Sequence, residues 1–172
     1  MNLKDNDFVL FGLPERFAQD RATTDTRWKD LQREAHPDRF AAAGASAQRV
    51  AMQWSVRINE AYQRLRDPLK RAAYLCELRG APIDAERNTA MPAQFLVEQM
   101  EWREALDDAS TEPELDAIAE RLQASRRQVT AEIERLLDAD GDPAAAAQQV
   151  RALMFIERFA HDVKERFEQL GQ

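Results

Sequence analysis

The feature that most constrains the fold is a pair of helical runs with a hard stop between them. Residues 21–35 place Trp28, Leu31 and Ala35 at i, i+3 and i+7. Residues 46–66 carry Val50, Trp54, Ile58, Ala61 and Leu65, stepping by four, four, three and four. Between them, in LQREAHPDRFAAAG (31–44), stands His36-Pro37-Asp38. Proline disfavours the helical conformation of the residue before it, so the first run ends there. Asp20 and Ser46 are the expected N-caps. The two runs are expected to fold as an antiparallel hairpin with the tripeptide in the connecting loop. A short helix over 68–78 follows, with Pro68 in its first turn, where a missing N–H costs nothing.

The rest of the chain is also helical in pattern. Ala, Leu, Glu, Gln and Arg dominate and sustained β-branched alternation is absent, so the 172 residues read as all-α. RGAPIDAERNTAMPAQ (79–94) combines a glycine, two prolines and polar residues without periodicity, the mark of a linker. The expected organisation is a first domain over 1–79, a linker over 80–92 and a second domain over 93–172. Three longer helices are expected in the second domain, at about 93–108, 113–138 and 143–170. Pro113 and Pro143 open the latter two, and Gly141 in DADGDP breaks between them. Leu115, Ile118, Leu122, Val129, Ile133 and Leu136 form one stripe; Val150, Leu153, Ile156, Ala160, Val163, Phe167 and Leu170 form another. Short turns between such helices predict an antiparallel three-helix bundle.

Charge separates the two parts. The chain carries −7 overall, but residues 1–79 hold 14 Lys+Arg against 11 Asp+Glu, and residues 80–172 hold 10 against 20. A net +3 followed by −10 suggests two partners and argues against nucleic acid as the main one. The single cysteine, Cys76, has no partner for a disulfide, and His36 and His161 are too far apart for zinc-ligand spacing. No metal, no cofactor and a reducing compartment are expected. The N-terminal MNLKDNDFVLFGLPERF has acidic residues where a signal peptide needs a basic region, and no apolar run approaches ~18 residues. A cytoplasmic protein without a membrane partner is the expectation.

Taken alone, His36-Pro37-Asp38 is a helix stop and a turn, in which proline fixes one backbone angle beside an imidazole and a carboxylate. Its context says more. HPDRF followed about twenty residues later by INEAYQRLRDPLKRAAYL (58–75) resembles the J domain, the DnaJ-type module. The resemblance implies that the loop and the basic face of the preceding helix dock on a seventy-kilodalton-class heat-shock chaperone and stimulate its ATPase. His36, Pro37 and Asp38 would be the trigger, with Arg27, Lys29 and Arg33 as basic contacts. The chain departs from the pattern at Ala35, where an aromatic is common, and at Asp30, where many relatives carry a base. Asn59 is expected to organise packing within the hairpin rather than to bind a partner.

In AQFLVEQMEWREALDD (93–108), at about 100° per residue, Phe95, Gln99, Trp102 and Leu106 share the face a bundle core requires. Leu96, Met100, Arg103 and Glu104 fall about 80–180° from Phe95, with Val97 and Glu101 further round. On the last helix Phe155 lies about 200° from Leu153. It is either exposed for a partner or buried by a wide bundle face or the first domain. LFGLPERF (10–17), DLQREAHPDRF (30–40) and FLVEQMEWREALDD (95–108) are similar to the HscB-type co-chaperone, the J protein dedicated to iron–sulfur cluster biogenesis. That resemblance covers essentially the whole chain and implies an L-shaped, two-domain fold without enzymatic activity. Its bundle would hold the iron–sulfur assembly scaffold through Leu96, Val97, Met100 and Phe155, with Glu101, Arg103 and Glu104 as the rim. The chain lacks the N-terminal cysteine-based zinc module of some eukaryotic relatives and so looks like the bacterial form.

Rival readings are a J protein with a different client, an acid–base enzyme using His36 and Asp38, and a purely structural helical adaptor. The lack of a Gly/Phe-rich linker and zinc-finger client domain argues against the first. The lack of other convergent polar groups argues against the second. The third would tolerate His36→Gln without loss.

Overall fold

The computed structural model describes residues 2–172, and all regular elements among them are helical. Helix α1 spans Asp7–Phe11, α2 Arg21–Ala35, α3 Ala45–Arg66 and α4 Pro68–Leu78. A 3-10 segment, Pro37–Ala43, joins α2 to α3. Then come α5 (Ala93–Asp108), α6 (Glu112–Glu134, continuing as a π turn over Arg135–Ala139) and α7 (Pro143–Leu170). The chain divides into two compact units, Met1–Leu75 and Cys76–Gln172, so the division falls inside α4.

In the first unit α2 and α3 are antiparallel, as three rungs between them show. The Tyr62 hydroxyl donates to Asp25 Oδ1 at 2.6 Å, Trp28 Nε1 donates to Asn59 Oδ1 at 3.0 Å, and Ser55 Oγ donates to Gln32 Oε1 at 2.9 Å. Asn59 also accepts from Gln32 Nε2 at 2.6 Å, so it is the central rung, in keeping with its expected packing role. Trp28 stacks on Tyr62 with centroids 4.5 Å apart. The Tyr62 hydrogen bond holds the Asp25 carboxyl below its ordinary range, while the same bond raises the Tyr62 hydroxyl. Below the rungs, Phe8, Phe11, Ile58, Leu65 and Ala61 are fully enclosed.

Helix α1 is a single turn that needs tertiary support. That support is Asp7, whose fully buried carboxylate meets Arg64 Nε at 2.6 Å and Nη2 at 3.0 Å. Arg57 Nη1 completes the ion-pair cluster at 2.8 Å, at an angle outside hydrogen-bond geometry. The Asp7 N–H donates to Tyr74 Oη at 3.0 Å, tying the same turn to α4. Arg71 is nearly buried and donates to the carbonyls of Phe17 and Leu65, both at 2.7 Å, which fastens the segment between α1 and α2.

Two local expectations, on Ser46 and Val50, are corrected, and that on Asp20 holds in position. Ser46 is not the cap of α3: the helix starts at Ala45 after Gly44, whose φ of 97° is a conformation that favours glycine. Asp20 occupies the N-cap position of α2, but its carboxylate accepts from the Thr23 hydroxyl at 2.7 Å and makes no backbone cap bond. Val50 is 50% exposed instead of lying in the core. It precedes Ser55, the last rung to α2, and sits about 80° round the helix from Ile58, so no side chain of α2 reaches over it.

In the second unit α5 and α7 run in the same direction. Phe95 meets Phe155 at 5.9 Å, Trp102 meets Phe159 at 6.2 Å, and Arg166 Nη2 donates to the Ala109 carbonyl at 3.4 Å. Helix α6 returns between these ends, so the three alternate in direction. All six residues of the predicted α6 stripe are buried. On α7 Val150, Leu153, Ile156 and Val163 are buried, but Leu170 is 38% exposed near the end of the helix. Phe159 enters the core where Ala160 was expected, because α5 covers a second face of α7.

The stretch expected to link the domains is held by buried side chains. Arg151 is 5% exposed and donates from Nε to the Ile83 carbonyl and from Nη1 to the Ala90 carbonyl, both at 3.1 Å. Arg151→Met removes both bonds and leaves two carbonyls to find water, a loss of about 1–3 kcal/mol. Tryptic cleavage after the exposed Arg87 is then expected to accelerate about tenfold, an unchanged rate being the contrary result.

Candidate functional site

The tip of the hairpin is a small rigid display. His36 stands at the C-terminus of α2 and the N-cap of the 3-10 segment, with Pro37 in that segment's first turn. Its Nδ1 accepts the Asp38 N–H at 3.2 Å and lies 3.7 Å from Asp38 Oδ2. With Nδ1 accepting, the neutral imidazole carries its proton on Nε2. The Asp38 side chain is 94% exposed and that of His36 57%. The geometry therefore offers one outward N–H donor and one carboxylate on a backbone that Pro37 stiffens. Arg39 Nη1 donates to the Arg33 carbonyl at 3.3 Å and closes the turn onto α2.

The basic residues of α2 do not form one face. Lys29 and Arg33 are neighbours at i, i+4 on the outer side of the helix and both are exposed. Arg27 lies about 120–160° round the helix from them. Its guanidinium carbon is 3.9 Å from where a Cβ on Gly12 would stand, so it covers the end of α1. Arg33 is also partly neutralised, with Nη1 3.8 Å from Asp30.

The second surface lies on α5 and α7. Leu96, Val97 and Met100 are 47%, 57% and 74% exposed, as the helical wheel placed them. Phe155 is only half-buried, stacked on Phe159 at 5.8 Å and edge-on to Phe95 at 5.9 Å. Phe155 thus falls between the two placements left open for it: the bundle's own aromatic cluster covers part of the ring. Arg103 bridges the helices, its guanidinium 6.0 Å from the Phe155 centroid and 5.6 Å from that of Phe159. Leu96, Met100, Arg103 and Phe155 thus share one side, with Glu104 and Val97 at its edge. Glu101 turns the other way and meets Arg121 of α6 at 3.7 Å. Phe159 was missed in the sequence, although its place one turn after Phe155 was a signal.

The two single residues behave as their types suggest. Cys76 is fully enclosed and burial pushes its thiol up to about 11. His161 is exposed and sits 3.1 Å from Glu165. Among the described residues there is no cluster of three or more His, Cys, Asp or Glu fit to hold a metal ion, and no helix long and apolar enough to cross a membrane.

Comparison with known proteins now gives the class. A co-chaperone homologue from Burkholderia thailandensis is 50% identical over 99% of this chain and 98% of its own length. Another from Burkholderia multivorans is 51% identical over the same shares. Both carry the name co-chaperone protein HscB homolog. These matches, over nearly the whole length of both chains, make this chain a co-chaperone homologue.

The particular family follows from the same matches: the chain belongs to the HscB family. Residues 91–164 match the family model described as the HSCB C-terminal oligomerisation domain. The chaperone HscB from Vibrio cholerae superposes with a TM-score of 0.81 at 37% identity, covering 96% of this chain and 99% of that one. The crystal structure of human co-chaperone protein HscB gives 0.85 at 26% identity, covering 100% of this chain and 86% of that one.

Proposed function

We propose that this co-chaperone joins two partners: a seventy-kilodalton-class heat-shock ATPase at the hairpin and an iron–sulfur assembly scaffold at the α5/α7 surface. The observation that carries the reading is that each unit presents its own uncovered feature. The first has an exposed His36-Pro37-Asp38 tip beside Lys29 and Arg33, and the second has Leu96, Val97 and Met100 open to solvent in a strongly acidic segment. The first unit acts as a J domain; Arg27, set apart from the other two bases, contributes less to docking. Apolar side chains rimmed by charge are the usual make-up of a protein-binding patch.

Coupling follows from holding both partners on one chain. The scaffold's effective concentration at the chaperone rises, and hydrolysis triggered by the tip traps it in the tight-binding state. Cluster transfer to recipient proteins is then driven by the chaperone's cycle, in the cytoplasm and without a cofactor bound by this chain.

Calorimetric titration with purified scaffold tests the second arm. Leu96→Ala/Met100→Ala is expected to weaken binding about 30-fold or more, as hot-spot truncation costs at least about 2 kcal/mol. Its unfolding curve should match the parent's, since both side chains stand in solvent. Phe155→Ala should lower both affinity and stability because the ring is half-buried. Full affinity in the Leu96/Met100 variant would sink the patch assignment.

A further inference from the structure

Beyond the exposed apolar residues of α5, the surface continues along α7 as an open groove of about 590 Å³. Half-buried Phe155 forms its floor with buried Phe159 stacked beneath it, and Arg103, Arg158 and Asp162 reach its edge. The unit as a whole is strongly acidic, yet the charges here are unevenly committed. Glu157 is held by Arg126 at 3.0 Å, and His161 is engaged with Glu165 at 3.1 Å. Arg103 lies over the two aromatic rings, and among the described residues neither it nor Arg158 has a carboxylate at ion-pairing distance. Asp162 is the one uncommitted carboxylate on the lining, against two uncommitted guanidiniums. The groove therefore offers two guanidiniums without an ion-pair partner among the described residues beside its aromatic floor, within an acidic segment.

We infer that Arg158, together with Arg103, selects the segment that docks in this groove: an apolar or aromatic anchor against the half-buried Phe155, with an adjacent carboxylate bound by the two guanidiniums. Arginine flanking an aromatic floor provides both elements, a planar fork for a carboxylate and a desolvated surface for the anchor. The acidic surroundings give the pair its selectivity. On a unit of net acidic charge, the two uncommitted guanidiniums beside an aromatic surface favour a carboxylate at that point, so charge contributes to register as well as affinity. The inference rests on the scaffold reading and states what that partner must present.

The test is a titration of the full chain with purified scaffold, comparing the parent, Arg158→Gln, Arg158→Lys and Leu96→Ala/Met100→Ala. Arg158→Gln is expected to weaken binding about tenfold and to flatten its salt dependence, while Arg158→Lys recovers part of the loss. Arg158 is exposed, so its variants should unfold like the parent. Substituting the scaffold's Asp and Glu residues one at a time should find a carboxylate whose loss is non-additive with Arg158→Gln by about fivefold or more. If the Leu96/Met100 variant loses affinity while Arg158→Gln binds like the parent, the inference is overturned and the scaffold reading stands. If the parent itself does not bind scaffold, the reading falls and takes the inference with it.

Discussion

Asp7→Ala is expected to cost the first unit about 3–5 kcal/mol, the usual loss when one member of a buried ion-pair cluster is removed. Asp7 is fully buried and collects Arg64, Arg57 and the fold of α1 onto α3. Without it the Arg57 and Arg64 guanidiniums lose their shared counter-charge, Arg57 in a mostly buried position, and the five-residue α1 loses its main anchor. A stability of about 5–15 kcal/mol for a domain leaves little margin for such a loss. Amide exchange is the suitable readout because it resolves the two units: protection should fall across α1 to α3 and persist in α6 and α7. A loss under about 1 kcal/mol would mean that the cluster is solvated and unimportant.

The second large effect is functional and carries almost no structural cost. His36→Gln removes an exposed ring whose only described internal bond is the one accepted from the Asp38 N–H. Losing that cap bond costs at most about 1 kcal/mol. Stimulation of the partner ATPase is nonetheless expected to disappear, a fall of about 30-fold or more for a contact at the centre of a docking site. Asp38→Asn tests the same tip by removing the carboxylate while Pro37 keeps the turn. Retained stimulation in either variant would reduce the tripeptide to a helix stop.

Helix positions were legible because proline and glycine mark them locally. Pro37, Pro68, Pro113 and Pro143 each stand at the junction the sequence suggests, and the end of α2 and the starts of α4, α6 and α7 follow from them within a residue or two. The exposed tip and Leu96, Val97 and Met100 were legible for a similar reason: exposure on one helix is a matter of angle. What could not be read depends on other elements. Asp7 and Arg64 are 57 positions apart, and Arg151 reaches carbonyls 61 and 68 positions away, so no local pattern announces either contact. Val50 and Phe159 failed for one shared reason: a wheel shows which face is apolar but not how far a neighbour extends over it. Val50 lies past the last rung to α2, and Phe159 lies under α5, which the stripe on α7 alone did not include.

Single-turnover ATP hydrolysis by the partner chaperone tests the central claim most directly, measured with and without scaffold. Intact protein, His36→Gln and Leu96→Ala/Phe155→Ala would be compared at equal concentration. The account predicts that His36→Gln abolishes stimulation altogether, while the patch variant keeps the basal part and loses only the increment that scaffold adds. No stimulation by the intact protein, or equal stimulation by all three, would contradict it.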